Sequence, residues 1–335
     1  MSQRRWILSV AVPFIAIVLF FALSLLHGSV DIPARAVGGI LLGEPSSMSA
    51  WEYIVLQTRL PQAITALLAG SALAVSGLLL QTVFHNPLAA PDVFGVTSGA
   101  SLAVALVMLT PVAILPSALS ALSSVASAFV GAMVVTALVW AASRMVRNSV
   151  MVIILGMMVG YVASSAITLL NFFASEQGVK VFSVWGMGSF GGVSMDEMPL
   201  FAGLTIATTA ISLLFAKPLN ALLMGEGYAS NLGVKVQRMR DLLLLLTGLL
   251  TAVVTAYCGP IAFLALAVPH IARLMIGTSD HRRLLPVTIL CGGAIALLCN
   301  IFTTMPGSGE VLPLNAITPL IGAPVIVYVV LGKRH

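Results

Sequence analysis

Charge is the scarcest commodity in this chain. Charged residues make up 8% of its 335 residues, against roughly 25% in an ordinary soluble protein. With 59% hydrophobic residues and a mean hydropathy of +1.08, sixteen basic and eleven acidic groups cannot cover a water-soluble particle of this size. The chain reads as an integral membrane protein. Cysteine is nearly absent too. Cys258, Cys291 and Cys299 lie in or beside apolar runs, with neither metal-ligand spacing nor a disulfide framework. None of the five histidines shares an apolar run with a metal partner, so no metal site is expected. His-Glu-x-x-His and Gly-x-Ser-Gly are missing, which argues against an intramembrane protease. No Gly-x-x-x-x-Gly-Lys-Ser/Thr phosphate loop occurs, so the chain does not burn ATP by itself. Deep carboxylates are lacking as well, and a proton-driven carrier needs them.

What is present is long apolar runs. A helix needs about 20 mostly apolar residues to cross the hydrocarbon core. Such runs fall at 6–27, 62–83, 93–113, 116–143, 150–174, 199–216, 240–257, 259–276, 287–304 and 316–331. Ten spans depend on two divisions, one at Pro111 and Pro116 and one at Gly259-Pro260. The charges support the count. With the N-terminus inside, the inner segments hold Arg4, Arg5, Arg144, Arg147, Lys217, Lys235, Arg238, Arg240, Arg273, Arg282, Arg283, Lys333 and Arg334. Only Arg35, Arg59 and Lys180 fall outside, as the positive-inside rule requires. The expectation is an all-α integral membrane protein of ten helices with both termini cytoplasmic, a single permease domain over 1–335. The net charge of +5 follows membrane orientation rather than nucleic-acid binding. Arg4 and Arg5 precede a run longer than a signal-peptide core, so the first span is expected to be retained.

Three connections are long: 28–61 and 175–198 outside, with enough apolar residues for short surface helices, and 217–239 inside. The inner one has an apolar stripe with basic flanks, which suits either the membrane surface or a partner. Glycines recur at four-residue spacing at Gly39/Gly43, Gly95/Gly99 and Gly156/Gly160, a pattern that lets helices approach closely in lipid. Prolines at 87, 91, 260, 269, 319 and 324 interrupt or end helices, which membranes tolerate where the freed backbone is buried or lines a cavity.

Several ordered blocks then become recognisable. They are Arg59-Leu60-Pro61 with Gly70, Gly77, Gln81 and Asn86-Pro87-Leu88-Ala89; Trp185-Gly186-Met187-Gly188-Ser189-Phe190; Gly225-Glu226 with Leu232-Gly233; Gly259-Pro260, Pro269-His270 and Arg273; Asp280-His281-Arg282-Arg283; and Gly322-Ala323-Pro324. Over nearly its whole length the chain resembles the membrane permeases of type II ABC importers for iron-siderophore complexes, haem and cobalamin. The resemblance implies a homodimer with one pathway on its axis. It also implies two ATPase subunits below, which carry the ATP and Mg, and a periplasmic or lipid-anchored substrate-binding protein above. No cofactor is expected on this chain, and the setting is a bacterial inner membrane.

By resemblance, Gly225, Glu226, Ala229, Leu232 and Gly233 form the region that couples to the ATPase. Arg59 is the outer cation that docks the binding protein, or else an anchor at a helix end. Ser149 and Val150 fall at the cytoplasmic gate, or at an ordinary helix start. Gln81, Met157, Tyr161 and Ser165 are candidate pathway-lining residues, with core or lipid contact as the alternative. The chain departs from the pattern in three ways, the first being Gly227-Tyr228 where many relatives are acidic. Gln62 stands where relatives often carry a second base, and no base lies between Arg283 and Lys333, which leaves external acids such as Glu310 to contribute. A ferric siderophore heads the expected cargoes. The rival readings are an ion-coupled secondary transporter of a small solute and an assembly protein without flux.

Overall fold

The computed structural model describes residues 3–44, 48–110, 117–146, 148–304 and 312–332. Fifteen helices follow one another: α1 (Gln3–Leu26), α2 (Ala34–Leu41), α3 (Ser49–Ile54), α4 (Leu60–Val83), α5 (Val96–Met108), α6 (Ser117–Met145), α7 (Ser149–Phe173), α8 (Glu176–Gly186), α9 (Met198–Leu213), α10 (Ala216–Leu223), α11 (Glu226–Asn231), α12 (Val236–Cys258), α13 (Leu264–Ile276), α14 (His281–Thr303) and α15 (Leu314–Gly332). No strand occurs among the described residues. A π-turn, Val55–Arg59, joins α3 to α4.

Ten of these helices overlie the ten apolar runs. Six are long and apolar enough to cross a membrane, or seven if the bent pair α9–α10 is one span, while α5, α13 and α15 are shorter apolar helices. The protein is therefore a multi-pass membrane protein. Boundaries shift where local chemistry overrides hydropathy. α14 starts at His281, not 287, because Asp280 caps it and accepts from the Arg282 N–H. α5 starts only at Val96, after turns that end at Gly95 with φ +73°. The division at Gly259-Pro260 is real, since α12 stops at Cys258 and α13 begins after Phe263, a non-glycine residue at φ +68°. The division at Pro111 and Pro116 lies outside the described residues, as do Arg147, Glu310, Lys333 and Arg334.

α4 is the central post, buried over most of its length among α9, α12, α13 and α14. Small residues allow this. A Cβ on Gly70 would overlap the Gly292 carbonyl of α14, and one on Gly77 would overlap the Ala265 carbonyl of α13. In lipid, close backbone approach replaces the hydrophobic drive that assembles soluble bundles. The expected glycine pairs divide. Gly95 abuts the Gly156 carbonyl and Gly99 the Gly131 carbonyl, both at 2.7 Å from an added Cβ. Gly39 and Gly43 meet no neighbouring helix, because α2 ends at Leu41 and Gly43 serves the turn beyond it. α1, α6 and α7 form the periphery, with most of their surfaces uncovered.

Candidate functional site

The inner connection folds as two short helices set at an angle to the bundle. Gly225 separates them at φ +102°, a conformation open to glycine and costly for other residues. Leu219, Leu222 and Ala229 turn inward and are buried, whereas Met224, Tyr228 and Leu232 are exposed. Gly233, at φ +83°, ends α11 and turns the chain toward α12. The segment therefore rests on the bundle by one face and presents an apolar edge on the other.

Its attachments are specific. Glu226 forms an ion pair with Arg240 in the first turns of α12. The next residue, Asp241, pairs in the opposite direction with Arg144 of α6 at 2.8 Å. On the other side, Asn220 of α10 donates to Asp280 Oδ1 at 2.5 Å, and its Oδ1 accepts from the His281 N–H at 2.7 Å. Asn220 Oδ1 also lies 2.9 Å from His281 Nδ1. An amide oxygen only accepts, so Nδ1 carries the proton and Nε2 accepts from the Thr82 hydroxyl of α4 at 2.8 Å. His85 Nε2 donates to the Leu222 carbonyl at 2.7 Å, tying the turn after α4 to the end of α10. Partial burial opposes ionisation of Asp280. The Asn220 and Arg282 hydrogen bonds and the charges of Arg282 and Arg283 outweigh it, and they hold the carboxyl below its usual range. Asn220 and Arg240 were not singled out from the sequence. An asparagine sixty residues before a helix cap leaves no local signal.

α7 opens at Ser149, where Asn148 accepts from the Val150 N–H at 2.9 Å. Val150 is 58% exposed, with Met151, Ile154 and Met158 continuing along the helix. Met157, Tyr161 and Ser165 recur at four-residue intervals and are exposed, as are Ser164 and Thr168. The exposed face of α1 is different: Ile7, Leu8, Val12, Phe14, Ile15, Val18 and Leu19, all apolar. The α1 face is apolar throughout, whereas the α7 face mixes hydroxyls with exposed Leu155, Val162, Leu169, Phe172 and Phe173, and its Thr168 hydroxyl donates to the Ser164 carbonyl at 3.0 Å.

Gln81 does not join α7. It is buried in α4, donates to the Leu266 carbonyl at 3.2 Å, and accepts from Arg273 Nη1 at 2.6 Å. Arg59 is placed differently from a rim cation. It is 5% exposed, and its guanidinium donates to the carbonyls of Leu25 (2.9 Å), Leu26 (3.0 Å) and Val30, at and just beyond the end of α1. Gly28 leaves the room it occupies, since a Cβ there would sit 2.8 Å from the guanidinium. Gln62 donates to Asn300 Oδ1 at 2.9 Å and so faces α14. At the outer end Asn315, also unforeseen, donates to the Gly186 and Pro260 carbonyls at 3.3 and 2.7 Å. Its Oδ1 accepts from the Ala262 N–H at 3.1 Å. It thereby knots the Trp185–Gly192 loop, the break before α13 and the start of α15. Among the described residues no group of three or more His, Cys, Asp or Glu is arranged to hold a metal ion.

This arrangement has relatives. Residues 16–332 match the FecCD transport family. A hemin transport system permease protein of Yersinia pestis is 33% identical over 309 residues, 92% of each chain. Vitamin B12 import system permease proteins of Citrobacter koseri and Vibrio cholerae are 34% and 32% identical, over 85% and 100% of this chain and 84% and 96% of theirs. A solved structure of a metal-chelate type ABC transporter in an inward-facing conformation matches with a TM-score of 0.83 at 29% identity, over 97% of this chain and 98% of that one. With a match running from the first helix to the last, the chain belongs to the FecCD transport family.

Proposed function

We propose that this chain is the ten-span permease subunit of a type II ATP-driven importer, with both termini in the cytoplasm of a bacterial cell. Two copies form one pathway, two ATPase subunits sit below, and a substrate-binding protein delivers a metal chelate from above. A ferric siderophore is the leading cargo, with hemin and vitamin B12, the cargoes named for relatives, next. The observation that carries this reading is the uncovered face of α7, where Tyr161, Ser164, Ser165 and Thr168 stand exposed among apolar side chains. A second copy, with a pathway between the two, supplies surroundings for both kinds of side chain.

The coupling role belongs to Gly225, Glu226, Ala229, Leu232 and Gly233. ATP-driven closure of the partners displaces α10 and α11, and the attachments through Asn220 and Glu226 carry that displacement to α14 and α12. A ligand-driven change of this kind needs differential contact in the two states, which a clamped segment supplies and a loose loop does not. Val150, and Ser149 beside it, narrow the inner mouth, where an apolar constriction closes by excluding water. Met157, Tyr161 and Ser165 line the pathway. Gln81 instead bridges α4 to α13, through the Leu266 carbonyl and Arg273. Arg59 contributes to docking by holding the outer end of α1 in shape, and any direct pairing requires it to leave its carbonyls.

The test is isolation from native membranes in gentle detergent, with co-purifying proteins identified by mass spectrometry, followed by uptake assays. Stoichiometric recovery of an ATPase, and ATP-dependent uptake of a ferric siderophore, hemin or vitamin B12 in proteoliposomes, supports the reading. Flux driven by an ion gradient, with no ATPase partner, overturns it.

A further inference from the structure

A cleft of about 550 Å³ opens at the inner end of the bundle between α4, α13 and α15. It lies away from α7, although Gln81, a candidate pathway residue by resemblance, and Leu223 of α10 form part of its wall. Its deep end is polar. Gln81 and His270 are buried there, and Arg273 of the last turn of α13 stands beside them, half-buried. His270 is engaged with the Pro87 carbonyl at 2.8 Å. His85 lines the wall from a left-handed backbone conformation, φ +48°, which histidine adopts more readily than most non-glycine residues.

Arg273 is the unbalanced group. Among the described residues its one hydrogen-bond partner is Gln81, a neutral amide, at 2.6 Å, and it takes part in neither the Arg144–Asp241 nor the Arg240–Glu226 pair. Among the described residues no acidic side chain lines the cleft. The negative end of the α13 dipole offsets part of the charge. Arg5 draws on that same end, donating to the Leu274 and Met275 carbonyls at 3.2 and 3.3 Å. A guanidinium has five N–H donors in a planar fork suited to an oxyanion, and here most of them remain for one.

The mouth is apolar. Leu223, Leu274 and Tyr328 are all exposed around it. A polar, positive interior with an apolar rim, at the membrane end that bears the basic connections, matches an anionic amphiphile better than a free ion. Basic pockets between membrane helices on the cytoplasmic side bind anionic head groups by this combination. We propose that this cleft holds the phosphate group of an anionic phospholipid against Arg273, with the adjoining glycerol and acyl carbons on Leu223, Leu274 and Tyr328. A soluble phosphate shares the head-group chemistry but has no use for the rim.

The test uses the full-length protein in nanodiscs of mixed phosphatidylglycerol and phosphatidylcholine, with bound lipid read by native mass spectrometry. Wild type retains phosphatidylglycerol preferentially. Arg273→Gln reduces that preference at least about tenfold, the scale of one charge-assisted hydrogen bond. Ser279→Asp supplies an internal carboxylate at an exposed position of the cleft wall and leaves Arg273 in place. It reduces the preference likewise and decides the matter if Arg273→Gln fails to fold. In a second arm, inorganic phosphate is added at constant ionic strength. Undisturbed lipid retention supports the lipid as ligand, whereas competitive displacement assigns the site to soluble phosphate and overturns the lipid. Equal retention of both lipids by wild type, or undiminished preference in both variants, removes the site altogether.

Discussion

Arg59 shows what a motif reveals and what it hides. Arg59-Leu60-Pro61 stood out in the sequence at a helix start, but the carbonyls that hold its side chain belong to Leu25, Leu26 and Val30, about thirty residues earlier. Nothing in local spacing foretells that. Removing the guanidinium strands three acceptors, and a stranded buried group costs about 1–3 kcal/mol. Arg59→Gln is therefore expected to lower the unfolding temperature in detergent by several degrees, equally at low and high salt. If Arg59 acts mainly as a docking charge, binding-protein affinity falls more at low salt than at high salt while the unfolding temperature stays put. Asp280 yields a second prediction. Its folded pKa is depressed, so the stability it contributes is present above the unfolded value near 4 and disappears as pH falls through the folded value. Asp280→Ala should be less stable than wild type at pH 7, and the two unfolding temperatures should converge in acid. A gap that persists at low pH would mean that helix capping by the neutral acid, not charge, carries the effect.

At the scale of elements, hydropathy placed an apolar run under each of ten helices, and the apolar residues of 28–61 and 175–198 pointed to the short external helices α2, α3 and α8. It misjudged ends wherever a cap decides, as at Asp280, or where a turn consumes apolar residues, as before Val96. The segment proposed for coupling, α10 and α11, was marked by Gly225 and Glu226 through the family resemblance, whereas the bonds of Arg240 and Asn220 that fasten it left no such mark. This predicts how it transmits force. Glu226→Lys should abolish most ATP-dependent uptake, because it removes the bond to Arg240 and sets two cations together. Glu226 is about half exposed, so the pair itself stabilises the fold by no more than about 1 kcal/mol. A large loss of transport without a matching loss of thermal stability therefore identifies a mechanical role. The reversed pair, Glu226→Arg with Arg240→Glu, should recover a substantial part of the uptake. Failure of the reversed pair, with protein amounts unchanged, would place the importance of Glu226 in direct contact with the partner instead.

For the whole molecule, the sequence could not say which faces are covered, since lipid tails and protein interiors are equally apolar and hydropathy does not separate them. The structure separates them by polarity. α1 offers acyl chains an unbroken apolar face, while α7 exposes Tyr161, Ser164, Ser165 and Thr168 among apolar residues, and α15 exposes Tyr328 at the cleft. If two copies meet about an axis along α7, like residues near that axis approach each other, because a two-fold interface brings each patch against itself. The three native cysteines are buried, so a single introduced thiol reports without interference. Tyr161→Cys should give a disulfide-linked dimer on mild oxidation in intact membranes. Ile15→Cys, equally exposed on α1, should remain monomeric under the same treatment. If α7 lines the proposed pathway, addition of the transported chelate, or trapping of the ATPase in its closed state, changes the yield at position 161 and not at position 15. Equal crosslinking at both positions would reduce the signal to random collision and remove the α7 face from the pathway.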